Sequence, residues 1–292
     1  MSQAVRFSDY LELTKPRLSL LSVLTAMAAY AAARSPHEPL RYLWVLIGTG
    51  LAAGGVAALN QLMEVETDAQ MHRTADRPIP SGKIATGSAF IVGALMCTAA
   101  LMLLYGLVNA LSAGFTLLTI VAYLGCYTPS KRLSRWSTEI GAVAGALPPL
   151  IGWAAGADRI TALGWVFFGI LFFWQIPHFM AIAWVHRRDY SAVHFPMLPV
   201  RDPSGRWVCA WSLINAVLLV VVSLAPLYLG LDTWWYGGVA AVCGALLLVC
   251  ALRFMPANQR DRTARQLFLA TIAYLPVVLG ALVLDRVIFI RL

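Results

Sequence analysis

Residues 60–82 read NQLMEVETDAQMHRTADRPIPSG and directly follow an apolar run that is long enough to cross a bilayer. This short segment contains seven ionisable side chains: Glu64, Glu66, Asp68, His72, Arg73, Asp76 and Arg77. Charged residues make up only 12% of the 292-residue chain, so the segment stands out from its surroundings. We therefore interpret it as the place where the chemistry of a largely apolar chain is concentrated.

The spacing within this segment predicts a site with two halves. Asn60, Glu64 and Asp68 are spaced i, i+4 and i+8, so they share one face if the helix continues past the apolar run. Carboxylate and amide oxygens suit Mg²⁺, which usually shares its coordination sphere with substrate phosphates. Arg73 and Arg77 follow one turn apart, and guanidinium groups bind phosphate oxygens in pairs. The alternative is a solvated cytoplasmic loop whose charges only help to set topology.

The apolar composition determines the fold class. Hydrophobic residues make up 60% of the chain, and long apolar stretches recur along it. Because lipid offers backbone polar groups no hydrogen-bond partner, this predicts an all-α membrane protein, which we interpret as a single domain over residues 1–292. We expect nine transmembrane helices, at residues 18–34, 42–63, 84–107, 110–128, 139–157, 161–185, 207–230, 234–254 and 267–288.

The distribution of Lys and Arg predicts the orientation of the chain in the bilayer. With the N-terminus in the cytoplasm, 17 basic residues fall inside and 5 fall outside, namely Arg34, Arg41, Arg159, Arg286 and Arg291. Because basic residues favour the cytoplasmic side, the C-terminus is expected outside a bacterial plasma (inner) membrane. The net charge of +8 then follows from topology and from contact with anionic lipid, so no nucleic-acid partner is implied.

A second informative segment covers residues 127–153. Lys131 and Arg132 lie in a basic turn between two predicted spans. Pro148 and Pro149 fall inside the next span, where they break the backbone hydrogen-bond ladder unless neighbouring helices or a cavity satisfy the freed carbonyls. Taken alone, this segment is equally typical of an ordinary basic loop followed by a kinked helix.

A third segment covers residues 172–200. His178 lies inside or near the end of an apolar span, and an ionisable residue at that depth is a functional hypothesis. Its imidazole could carry a proton, bind a metal or bind haem iron, or it could simply be satisfied by a backbone carbonyl. Asp189 follows just outside the span, where it could complete the metal site or pair with Arg187 or Arg188.

Several motifs in these segments together resemble those of one family. They are LTKPR in residues 13–17, NQ…E…D…M…RT…RP in 60–78, YT…KR in 127–132, GA.PPL.GW in 145–153, and WQ.PHF with DY…PMLPV in 174–200. The chain resembles the UbiA superfamily of intramembrane prenyltransferases, and within it the branch that prenylates haem. The last three predicted spans match that family only in hydropathy and position.

The resemblance implies a fold and a reaction. The fold is a nine-helix bundle of UbiA type, with a central cavity that opens laterally to lipid and is capped by cytoplasmic loops. The reaction uses Mg²⁺ and transfers the farnesyl group of farnesyl diphosphate to a vinyl group of haem B. Water addition then gives haem O and diphosphate. The implied partners are both substrates, the lipid bilayer, and a haem A synthase or terminal oxidase assembly that uses the product.

The resemblance also implies roles for particular residues. The expected metal ligands, which are also expected to be catalytic, are Asn60, Glu64, Asp68 and Asp189. The expected diphosphate ligands are Arg73, Arg77, Lys131 and Arg132. His178 is expected to be catalytic and to bind haem together with Trp174, and Trp153, Phe173 and Trp174 are candidates for stabilising an allylic cation. The wider family has aspartates where this chain has Gln61 and Glu64. The arginines and lysines are therefore expected to contribute more to diphosphate binding.

Two other functions remain open. The chain could prenylate an aromatic quinone precursor, which is distinguished by whether a soluble aromatic acid or haem B is consumed. It could also be a polytopic transporter with broken helices. Against a transporter, the acids and bases gather at one predicted membrane face, and the two halves show no inverted repeat.

Overall fold

The computed structural model describes residues 6–33 and 38–289, and these residues form helices and no strand. The α-helices are α1 (Phe7–Leu13), α2 (Pro16–Ala32), α3 (Pro39–Met63), α4 (Val65–Gln70), α5 (Thr86–Leu107), α6 (Ala110–Val121), α7 (Thr128–Leu133), α8 (Ser137–Ala146), α9 (Pro148–Ala157), α10 (Ala162–Val185), α11 (Arg187–Ala192), α12 (Leu198–Arg201), α13 (Arg206–Tyr228), α14 (Trp234–Phe254) and α15 (Arg260–Leu284). Two π-helical segments, Ala122–Tyr127 and Asp285–Phe289, continue α6 and α15. The predicted all-α class is confirmed.

Eight helices of the described residues are long and apolar enough to cross a membrane. Each corresponds to one predicted span, with α6 and α7 joined through a π-helical segment and α8 joined to α9. The first predicted span is the shorter apolar helix α2, which has 17 residues, so the count of nine spans stays a prediction. Its predicted end at Arg34, like Arg291 near the C-terminus, lies outside the described residues.

The last span begins earlier than hydropathy predicts. We expected it to start at residue 267, but α15 begins at Arg260. Its first turn contains Asp261, which accepts a hydrogen bond from the indole of Trp184 at 2.9 Å, and the Arg260 guanidinium lies over the same ring. An acid in a first turn favours a helix start, and hydropathy cannot register these polar contacts.

The long helices form a closed ring. Helix α3 packs between α2 and α5, and α6 with its π-helical extension connects α5 to α8 and α9. On the other side α10 packs on α8, α13 and α15, while α14 packs on α13 and α15. Contacts of α15 and of the π-helical segment after it with α2 close the ring, including a bond of 3.4 Å from Arg286 Nε to the carbonyl of Ala32.

Close packing of α2 on α9 fills one end of this ring. A Cβ atom at Gly152 would collide with the backbone oxygen of Ala26, and one at Gly156 would lie 2.6 Å from the Cβ of Ala33. Small residues therefore let the two backbones approach, as membrane helices commonly do. The opposite end of the bundle stays open, and its charged loops surround a cavity.

The tandem prolines divide the fifth span as predicted. Helix α8 ends at Ala146 and α9 begins at Pro148, with Leu147 between them. A proline cannot donate a backbone hydrogen bond, so the ladder is interrupted there. Pro148 lies on the cavity wall, which is where an interrupted transmembrane helix is tolerated.

Candidate active site

The open end of the bundle contains a cavity of about 330 Å³. Its walls come from α2, α3, α6, α8, α9 and α10, with α4 and the loops after α4 and α11 at its mouth. Its ionisable and amide side chains include Lys15, Asn60, Glu64, Asp68, Arg73, Arg77 and Lys131. The predicted acidic and basic halves of residues 60–82 therefore share one cavity.

The helical spacing of the three predicted metal ligands is preserved across a helix junction. Glu64 lies between α3 and α4 as the cap residue of both, and the backbone bonds from Glu64 N–H to Asn60 and from Asp68 N–H to Glu64 keep the i to i−4 pattern. All three side chains line the cavity and are buried, with exposures of 1% for Asn60, 7% for Glu64 and 1% for Asp68. A Thr74 hydroxyl bond of 2.8 Å to the Asp68 carbonyl fixes the end of this turn.

Each of these three side chains contacts one cation. Lys15 Nζ lies 3.0 Å from Asn60 Oδ1, and Lys131 Nζ lies 2.7 Å from Glu64 Oε1. Arg77 NH1 lies 2.5 Å from Asp68 Oδ2. Buried carboxylates need such partners, because an unpaired charge away from water is costly. The oxygens that could bind a metal are thus engaged by groups that could bind phosphate.

Sequence reasoning missed Lys15 as a site residue, because it counted this lysine only towards topology. Lys15 lies between α1 and α2 with a φ of 47°, and Gln61 holds this turn through a 2.9 Å bond to the carbonyl of Leu13. Burial, followed by the nearby charges of Arg77 and Lys131, lowers the pKa of Lys15 to about 7. The available signal was the LTKPR motif, which the family resemblance included without assigning it a role.

The other predicted polar residues are placed differently. Arg73 lines the cavity mouth. Arg132 is exposed and donates to the Met63 carbonyl at 3.4 Å, so it ties α7 to the end of α3 and does not line the cavity. Asp189 also lies outside the lining, and it contacts His186 at 3.5 Å instead of pairing with Arg187 or Arg188. The structure therefore brings together six of the predicted residues and leaves these two at the periphery.

The aromatic side chains that line the cavity are not the predicted ones. They are Tyr123, Tyr127, Phe179, Tyr190 and Phe195. Two of the tyrosines lie on the π-helical segment Ala122–Tyr127, a geometry often found at functional sites, and Lys131 Nζ lies 4.5 Å above the ring of Tyr127. Trp153, Phe173 and Trp174 pack in the core away from the lining, because the cavity face of α10 carries Gln175 and Phe179.

His178 lies beside the cavity wall rather than in it. Its Nδ1 atom is 2.9 Å from the hydroxyl of Thr271 on α15, and its ring stacks on Trp174 with centroids 4.8 Å apart. Trp174 itself donates to the Thr271 carbonyl at 2.6 Å. The ring of His178 also lies 5.3 Å from that of Phe179, which does line the cavity.

The donor set limits how a metal ion could be held. Within residues 6–33 and 38–289, no three His, Cys, Asp or Glu side chains are grouped so that they could hold a metal. Glu64 and Asp68 supply two carboxylates, and Asn60 adds one amide oxygen. This set fits Mg²⁺, which binds to proteins through one or two carboxylates and completes its shell with substrate phosphates and water.

Comparisons with known proteins identify the family and the fold. The model of the UbiA prenyltransferase family matches residues 20–272. Protoheme IX farnesyltransferase of Opitutus terrae is 66% identical over 285 residues, which cover 98% of this chain and 97% of that protein. A solved structure of digeranylgeranylglyceryl phosphate synthase has a TM-score of 0.82 at 17% identity and covers 96% of this chain and 98% of the other.

A second solved structure is informative about the fold. The UbiA homologue from Archaeoglobus fulgidus bound to GPP and Mg²⁺ has a TM-score of 0.64 at 12% identity and covers 94% of this chain and 99% of that one. At these identities the solved structures establish a shared helical fold. The sequence match and the fold together lead to one conclusion: this chain belongs to the UbiA prenyltransferase family.

Proposed function

We propose that this chain transfers the farnesyl group of farnesyl diphosphate to a vinyl group of haem B, with addition of water, to give haem O and diphosphate. The observation that carries the proposal is the cavity in which buried acidic oxygens and cationic side chains lie together at the open end of a membrane bundle. The name of its 66% identical relative supports haem as the acceptor.

In this proposal the polar end of the cavity holds the diphosphate. Asn60, Glu64 and Asp68 would hold Mg²⁺, which would supply positive charge to offset that of the departing diphosphate. The cations that now contact these three residues, together with Arg73, bind the remaining phosphate oxygens. Electrostatic stabilisation of the leaving group is the main contribution to catalysis.

The farnesyl transfer itself takes place in the apolar part of the cavity. The bond between the farnesyl C1 atom and the diphosphate oxygen breaks, and the vinyl group of haem B attacks C1. The resulting cation, stabilised by the porphyrin, takes up water and loses a proton, which leaves a hydroxyl group. Tyr123, Tyr127 and Phe179 line the wall where an allylic cation must be kept from water, and aromatic faces attract cations.

Arg132 and Asp189 remain predictions as diphosphate and metal ligands. Both lie outside the cavity lining, so their participation requires their segments to move over the bound substrate. His178 and Trp174 remain predictions as haem-binding residues at the edge of the cavity.

The setting of the enzyme is also inferred. The apolar helices support a multi-pass integral membrane protein, and we infer a single domain in a bacterial plasma membrane with the N-terminus and the polar cavity mouth facing the cytoplasm. Labelling of single cysteines introduced at Lys83 and Asp158, from either side of sealed membranes, tests this orientation. Association with a haem A synthase or an oxidase assembly remains a prediction.

A reaction in vitro tests the function. Purified protein is incubated with haem B, farnesyl diphosphate and Mg²⁺, and the porphyrin is analysed by mass spectrometry. We expect a mass gain of farnesyl plus water, and a loss of about 100-fold or more in rate for Asp68→Asn, the usual scale for losing a key electrostatic group. The matched control is Asp76→Asn, because Asp76 is exposed in the same segment and does not line the cavity.

Two results would contradict the proposal. Consumption of a soluble aromatic acid in place of haem B would favour a quinone-precursor prenyltransferase. Substrate flux across vesicles without release of diphosphate would favour a transporter.

A further inference from the structure

His178 has one ring nitrogen that the fold leaves available. Among the residues that the structure describes, its Nδ1 atom contacts Thr271, whereas its Nε2 atom has no hydrogen-bond partner and is not enclosed. The other histidines of the described residues, His72, His186 and His194, lie outside the membrane-spanning helices. A membrane-embedded imidazole with one free nitrogen therefore requires an explanation.

The hydrogen bonds around Thr271 determine which nitrogen carries the proton. The Thr271 hydroxyl donates its only hydrogen to the carbonyl of Phe268, one turn earlier in α15, at 2.6 Å. The same oxygen lies 2.9 Å from His178 Nδ1, and with its hydrogen already used it can only accept a bond there. His178 is thus the tautomer with hydrogen on Nδ1 and a lone pair on Nε2.

The orientation of the ring is fixed as well. Trp174 stacks on one side of the imidazole with centroids 4.8 Å apart, and Phe268 packs on it at 4.7 Å. Trp174 is held by its own bond to the Thr271 carbonyl. The residue adjoining His178 in the chain, Phe179, lines the cavity. The packing therefore fixes the direction of the Nε2 lone pair, and the His178 ring lies 5.3 Å from a residue that lines the cavity.

We propose that Thr271 is a positioning residue that holds His178 in the Nδ1–H tautomer, so that Nε2 binds the iron of the haem substrate at the cavity edge. Histidines that bind metals usually donate their other N–H group to a fixed acceptor, which sets both tautomer and ring orientation. Iron coordination would anchor the porphyrin while its vinyl group reaches the farnesyl chain. The inference rests on the proposed function, because it takes haem as the substrate.

Binding of haem B to the purified full-length protein, followed by optical absorption and electron paramagnetic resonance, tests this inference. Wild type is expected to give the spectrum of imidazole-bound haem. His178→Ala is expected to lose that spectrum, and free imidazole is expected to restore it. Thr271→Val, which keeps the shape but removes the acceptor, should weaken binding by about 10-fold to 100-fold, whereas Thr271→Ser should stay within about 2-fold.

Controls separate coordination from misfolding. His72→Ala, at an exposed position outside the cavity lining, should keep the wild-type spectrum. Retained thermal stabilisation by Mg²⁺ with diphosphate would show that the Thr271 and His178 variants are folded. An unchanged spectrum in His178→Ala, or equal haem affinity in Thr271→Val and wild type, would overturn the inference even if the wild type makes haem O. A wild type that neither binds nor converts haem B would instead refute the proposed function.

Discussion

At the scale of single residues, the cations of the site form ion pairs with acidic side chains before any ligand binds. Lys131 shows this most clearly, because its Nζ contacts Glu64 at 2.7 Å and lies over the ring of Tyr127. A lysine in that position can move from the carboxylate to a phosphate oxygen of a bound substrate. Its two roles, as a counter-ion and as a substrate ligand, can be separated by substitution.

We predict that Lys131→Met lowers kcat/KM for farnesyl diphosphate by about 100-fold, because one cation of the leaving-group site is lost. The variant also leaves Glu64 buried and unpaired, which reduces stability. Adding Glu64→Gln should recover stability in a thermal unfolding assay but not activity. Arg135→Gln is the control, because Arg135 is exposed and packs on Trp136 outside the cavity lining. An unchanged kcat/KM in folded Lys131→Met would show that Lys131 acts only as a counter-ion.

At the scale of helices, the contact between α2 and α9 closes one end of the bundle. We predict that Gly152→Ala destabilises the protein by about 1–3 kcal/mol, because its Cβ would collide with the backbone oxygen of Ala26 and the helices must separate. Gly114→Ala is the matched control, since a Cβ there has nothing within 4 Å and alanine favours a helix. Thermal unfolding in detergent measures both, and equal stability of the two variants would contradict this account.

The start of α13 provides a prediction that depends on pH. Burial tends to raise the pKa of Asp202, but bonds from Ser204 and from the backbone N–H groups of Val208, Trp207 and Gly205 hold it below its ordinary value. A lowered folded pKa means that the carboxylate stabilises the fold above the unfolded pKa of about 3.9 and loses this effect as the pH falls.

We therefore predict that Asp202→Asn costs about 0.3–2 kcal/mol at pH 7, the range for losing a negative charge next to a helix N-terminus. The difference from wild type should shrink as the pH falls below about 4. The free energy of unfolding of both proteins, measured at pH 7 and below about pH 4, tests this. A difference that is independent of pH would show that the charge of Asp202 contributes nothing.

Much of this helical architecture could be predicted from the sequence, and the failures have physical reasons. Apolar runs located the membrane-spanning helices, and the i, i+4, i+8 spacing placed Asn60, Glu64 and Asp68 together, because both patterns follow from helix geometry. The predicted start of the last span at residue 267 was wrong, because polar contacts extend α15 beyond its apolar part to Arg260. Lys15 and the cavity tyrosines were missed because α1 and the π-helical segment place them by tertiary contacts that spacing does not reveal.

At the scale of the whole molecule, the ring of helices is closed at one end and open at the other. The contact of α2 with α9 closes the first end, and the charged segments after α3, α6 and α10 surround the second. In the proposed reaction, the diphosphate would be held at the mouth while its isoprenoid chain extends into apolar surroundings. The lateral opening towards lipid, through which a haem would enter, remains a prediction.

The same arrangement predicts that metal and diphosphate bind together. Mg²⁺ alone must displace three basic side chains from Asn60, Glu64 and Asp68, whereas diphosphate offers those side chains new partners. We expect Mg²⁺ alone to raise the Tm by less than about 1 °C, and Mg²⁺ with diphosphate at 100 times its Kd to raise it by about 5 °C or more. Asp68→Asn should lose the joint effect and Asp76→Asn should keep it. An equal shift with Mg²⁺ alone would mean that the carboxylates already form a complete metal site, and that the cations on them do not oppose binding.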